Sequence, residues 1–108
     1  MPRIKDFDPD KLDPARRRVY DAILSSPRGN VIGPLRVWLT SPEFADKTQQ
    51  VGQFIRFGMS IPPRLSELAI LAVGAEWKSG FEFWAHSAFA VKGGLDPAII
   101  EALRTGRT

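Results

Sequence analysis

Apolar residues recur along this chain at spacings of three and four, the signature of one buried helical face, and convincing period-two alternation persists nowhere. Ala15, Val19, Ala22 and Ile23 form the first such set. Asp13-Pro14 precedes it as an N-cap followed by proline at the first helical position, and Pro27 with Gly29 ends it near Ser26. A loop over Arg28–Gly33 leads to a short helical turn at Pro34–Leu39. Ser41-Pro42-Glu43 repeats the start signal for a second long helix, whose apolar face is Phe44, Val51, Phe54 and Ile55 and whose terminator is Gly58. Ile61-Pro62-Pro63 is a rigid connector, and Pro63 opens the next helix.

Arg64–Trp77 is the most hydrophobic stretch. Leu65, Leu68, Ala69 and Ala72 make one stripe, while Ile70, Leu71, Val73 and Trp77 fill much of the remainder. So wide an apolar surface predicts a central, nearly surrounded helix, which makes the polar Glu67 within it informative. Ser79-Gly80 breaks this helix, Phe81–Lys92 forms another closed by Gly93-Gly94, and Asp96-Pro97 begins a last one ending near Thr105-Gly106. Residues Met1 to Leu12 read as an extended polar lead-in. The expected class is all-α, a bundle of about five to six helices in a single domain over residues 1–108.

Composition narrows the chemistry. At 108 residues with 44% hydrophobic and 25% charged positions, the chain has the balance of an ordinary folded domain. A domain this small buries a limited share of its surface, so wide apolar helices point to self-association. The net charge of +3 is mild, and Arg16-Arg17-Arg18 reads as a solvated helix face rather than a nucleic-acid site. There is no cysteine, which excludes disulfides, thiolate metal sites and thiol redox catalysis. The charged N-terminus carries no signal-peptide core, and no apolar run approaches the roughly 20 residues that span a bilayer. Cytoplasmic location is the default, with no membrane or nucleic-acid partner, no metal and no cofactor expected.

The candidate chemistry centres on His86, the single histidine. Glu82 lies four positions earlier and shares its face of a helix. A carboxylate there fixes the tautomer of an imidazole and readies it for proton transfer, or simply stabilises the helix. Glu67 precedes His86 by 19 positions, and an antiparallel turn at Lys78–Gly80 would bring it to the same imidazole. A carboxylate on so apolar a helix is either at its solvent edge or held by a partner. Two carboxylates around one histidine suit acid/base work.

Arg64-Leu65-Ser66-Glu67-Leu68-Ala69-Ile70-Leu71, then Phe81-Glu82-Phe83-Trp84-Ala85-His86, then Gly93-Gly94-Leu95, resembles the carboxymuconolactone decarboxylase-like family. The likeness covers roughly residues 44–104 and is most specific between Arg64 and Leu95. It implies an alkylhydroperoxidase D-like helical bundle, a ring-shaped homo-oligomer built on trimers, and further helical sequence beyond Thr108, where this chain stops. The stretch through Asn30 is not distinctive of the family. The redox branch carries a Cys-x-x-Cys pair before its histidine. Ser79 and Glu82 stand at those positions here, so peroxidation through a thiolate is excluded. The decarboxylase branch is similar in carrying glutamate before its histidine. That likeness implies loss of CO2 from a small carboxylated lactone in aromatic catabolism, with His86, Glu82 and Glu67 as proton-handling residues. Arg64 or Arg56 would hold a substrate carboxylate. Trp84, with Trp77, Phe81 and Phe83, would line an apolar pocket, or else belong to core or subunit interface. The alternatives are a thiol-independent oxidoreductase of the alkylhydroperoxidase D-like group, against which the absence of cysteine counts, and a non-catalytic helical oligomer that binds a small molecule.

Overall fold

The structure, a computed structural model, describes residues 3–107. Met1, Pro2 and Thr108 lie outside the described residues. All regular elements among the described residues are helical: a 3₁₀ turn Pro9–Lys11, α1 (Pro14–Leu24), α2 (Pro34–Trp38), α3 (Pro42–Gln53), a π-helical turn Phe54–Gly58, α4 (Pro63–Glu76), α5 (Gly80–Lys92) and α6 (Pro97–Thr105). The chain divides into two compact units, Met1–Phe57 and Gly58–Thr108. No helix among the described residues is long and apolar enough to cross a membrane.

Proline opens five of the six α-helices, where its missing N–H costs nothing and its fixed φ already suits a helix. In the first unit Asp13 caps α1 by accepting a hydrogen bond from the Arg16 backbone N–H at 2.9 Å. That bond, with the Arg16 guanidinium beside it, holds the Asp13 carboxyl below its ordinary pKa of 3.8. Folding thus favours the charged carboxylate. Its stabilisation is complete above pH 3.8 and disappears as pH falls through the depressed folded value. Asp13→Asn, which still caps, is expected to lose less thermal stability than wild type on acidification. An equal fall in both melting midpoints would contradict this assignment.

Arg16 also donates from Nε to the Leu39 carbonyl at 2.9 Å and from its terminal nitrogen to the Thr40 carbonyl at 3.0 Å, tying α1 to the end of α2. Arg17 pairs with Asp21 and donates to the Pro9 carbonyl. Two members of the arginine run therefore do structural work. The lead-in is less extended than its composition suggests. Arg36 lies over the Phe7 ring at 4.3 Å, bonds the Phe7 carbonyl and pairs with Asp6, while Phe7 meets Tyr20 edge-on.

Val19, Ile23, Val31, Leu35, Leu39 and Ala45 form the core of this unit. The side of α3 that it buries is not the predicted one. Ala45 and Gln49 are buried, whereas Phe44, Val51, Phe54 and Ile55 are exposed. A small residue at 45 lets α3 lie close to α1 and α2, and the larger side chains turn outward; Phe44 reaches only the edge of Trp38. The α-helix also ends at Gln53 and not at Gly58, because a π-helical turn intervenes.

The second unit is an antiparallel α4–α5 hairpin with α6 packed on α4. Its core is Leu71, Ala90 and Leu95, flanked by Leu68, Phe83, Ile100 and Leu103. The α4–α5 turn is tight: Lys78 takes a positive φ of 55°, and the Ser79 N–H bonds the Gly74 carbonyl at 2.8 Å. The prediction of a nearly surrounded α4 holds on one side alone. Glu67, Leu71 and Gly74 are buried, but the opposite side lies open.

Glycine sets how closely the hairpin closes. A Cβ on Gly93 would stand 3.1 Å from both the Arg64 backbone nitrogen and the Pro63 Cβ, so Gly93→Ala must push the start of α4 away. A Cβ on Gly74 would find its nearest neighbour, the Phe83 nitrogen, at an ordinary 3.6 Å. We expect Gly93→Ala to cost about 1–3 kcal/mol by overpacking. Gly74→Ala should gain up to about 1 kcal/mol from helix propensity. Chemical denaturation of both variants checks the pair; equal effects would refute the difference in spacing.

Candidate active site

The second unit brings three of the expected residues together. Glu67 sits in the second turn of α4, on the face that packs against α5, because its register with Leu71 and Gly74 is the buried one. His86 lies on the facing side of α5. The Glu67 Oε2 to His86 Nδ1 distance is 2.5 Å, and the side chains are only 6% and 12% exposed. Glu82, one turn before His86, places its Oε2 3.5 Å from His86 Nε2 with its side chain 36% exposed. The imidazole thus has a buried carboxylate on one nitrogen and a half-open one on the other.

The asymmetry has a chemical consequence. An ionised Glu67 accepts hydrogen bonds only, so Nδ1 carries the proton that it donates, and Nε2 presents its lone pair. At 3.5 Å the Glu82 contact is too long for a good hydrogen bond, which leaves Nε2 open to a third group. Phe89, one turn on from His86, meets the imidazole edge-on at 5.7 Å between ring centres. It belongs with the site although its residue type gave no chemical reason to single it out; its spacing of three from His86 is the signal for it.

Trp84 does not join them. Trp84 is two positions from both Glu82 and His86, a rotation of about 200° around the helix, and is 71% exposed. It lies on the opposite side of α5 from the imidazole and is packed against Phe81. Trp77 and Phe81 are likewise exposed, while Phe83 packs against the core. Arg64 is exposed at the start of α4, one turn before Glu67, and its side chain forms no hydrogen bond or ion pair with the described residues. Arg56 belongs to the first unit, where it lies over the Phe57 ring at 4.7 Å.

Among the described residues no cluster of three or more histidine, aspartate or glutamate side chains is arranged to hold a metal ion. Compared with family models, curated proteins and solved structures, the chain finds no match.

Proposed function

We propose that the second unit is a proton-transfer centre in a carboxymuconolactone decarboxylase-like lyase of alkylhydroperoxidase D-like fold, acting in the cytoplasm on a small carboxylated lactone or related ring compound. The single observation that carries this reading is the imidazole of His86 held between Glu67 and Glu82. Burying a carboxylate and an imidazole is costly unless they satisfy each other, and such a pair fixes the ring for chemistry at its other nitrogen.

In the reaction, the bond between the ring carbon and its carboxylate breaks and CO2 leaves. The electron pair stays with the conjugated carbonyl system as a dienolate. Glu82, being half-open, first passes a proton from solvent to Nε2, and the resulting imidazolium gives that proton from Nε2 to carbon, or to the enolate oxygen, returning to the neutral ring. Glu67 holds the imidazole through Nδ1 and balances the charge of the imidazolium while it exists. Arg64 is placed at the same end of α4 as Glu67 and would receive a substrate carboxylate.

The proposal is tested by offering the full chain a panel of carboxylated lactones and measuring CO2 release and proton uptake. Turnover of at least one member is expected. Ligand binding without turnover by any member would favour the alternative, a helical oligomer that binds a small molecule and does no chemistry.

A further inference from the structure

Glu82 and His86 face each other at a separation that suits a shared cation better than a hydrogen bond. Glu82 Oε2 stands 3.5 Å from His86 Nε2, beyond the usual range for nitrogen to oxygen. Zinc binds imidazole nitrogen at about 2.0–2.1 Å and carboxylate oxygen at about 2.0–2.2 Å. Two such ligands at a tetrahedral angle therefore lie about 3.3–3.5 Å apart. Both donors project from one face of α5, four positions apart, so the helix itself sets their spacing.

The other side of the ring is built to match. A histidine that binds a metal through one nitrogen almost always donates its second N–H to a carboxylate, which fixes the tautomer and makes the ligand more basic. Glu67 occupies that position, with Oε2 2.5 Å from Nδ1 and a side chain only 6% exposed. The Glu82 side chain is 36% exposed, which gives a cation an entry path. No cluster of three or more potential ligands exists among the described residues, so water completes the coordination and the ion exchanges with solvent. Neutral imidazole favours zinc, copper and nickel over magnesium and calcium. We propose that His86 Nε2 and Glu82 form a site for a divalent cation of the zinc class, with Glu67 as the outer carboxylate that orients the ring. The binding stands on this geometry and not on the lyase reading. Where the lyase reading also holds, the cation takes the Nε2 lone pair that must accept the proton, and so inhibits CO2 release.

Calorimetric titration of the full chain with Zn²⁺ is expected to show saturable binding of a single ion, and titration with Mg²⁺ none. His86→Ala should abolish the binding. Glu82→Gln changes a half-open side chain outside the core, and is expected to weaken it about ten-fold or more. Glu67→Gln should weaken it about 10–100-fold, the usual effect of losing an outer partner. Glu82→His offers a second imidazole at the same spacing and should bind more tightly than wild type. Nitrogen NMR of the single histidine locates the ion: Zn²⁺ should shift Nε2 more than Nδ1, and Nδ1 should keep its proton. A wild type that does not bind Zn²⁺, or that binds Mg²⁺ equally, would overturn the site. So would wild-type affinity in Glu82→Gln, or a shift centred on Nδ1. None of these readouts needs turnover, so loss of the lyase reading and loss of the cation site are told apart.

Discussion

His86→Ala is expected to lower CO2 release from a carboxylated lactone by about 10²–10⁴-fold, the range that a positioned acid/base group contributes. The helical content should be unchanged, because His86 is no part of the Leu71–Ala90–Leu95 core. Glu67→Gln is the sharper companion. It keeps the size of the side chain and its ability to accept from Nδ1, but removes the negative charge that balances an imidazolium. We expect it to retain KM and lose kcat, since the deficit appears when the proton moves and not when substrate binds. Glu82→Gln should lose less, its carboxylate being half-open and 3.5 Å from Nε2. Full activity in His86→Ala would remove the imidazole from the reaction altogether.

Leu71→Ala should produce the largest loss of stability in the second unit, about 2–5 kcal/mol. Leu71 is 0% exposed and is packed, among the described residues, with buried Ala90 and Leu95 and flanking Leu68, Phe83, Ile100 and Leu103, so its truncation opens a cavity in the middle of this core. Leu71 also follows Glu67 by one turn on the same face of α4, so the cavity loosens the contact that sets the carboxylate against His86. Trp77 and Trp84 both report on this unit by fluorescence, while Trp38 reports on the first. Denaturation of the variant is expected to shift the second-unit signal to lower denaturant. A loss below about 0.5 kcal/mol, the scale of a surface substitution, would mean that Leu71 is not the packing centre described.

Helix starts were the most legible feature of the sequence. Asp13-Pro14 and Asp96-Pro97 combine a side chain that accepts from the next turn with a residue already fixed in helical φ, and both caps form as written. The pairing of Glu67 with His86 was legible for a different reason. A carboxylate on so apolar a helix needs a partner, and the Ser79-Gly80 break lets α5 fold back and supply one. Which face of a helix turns inward was harder to read. In α3 the larger side chains suggested the buried side, but close approach of α1 and α2 selected Ala45 and Gln49. In α4 both faces are apolar, so periodicity alone cannot say that α5 covers one of them and leaves the other open. The aromatic residues near His86 in sequence are a third case, because Trp84 lies two positions from both Glu82 and His86 and so on another face of α5.

The central claim is that Glu67 fixes the imidazole through Nδ1 and leaves Nε2 for chemistry. As His86 is the single histidine, long-range proton–nitrogen NMR correlations of the neutral ring give one unambiguous pattern. We predict the Nδ1–H tautomer in wild type, and its loss in favour of a mixture with Nε2–H in Glu67→Leu. A wild-type ring protonated on Nε2, or a tautomer unaffected by Glu67→Leu, would contradict the account.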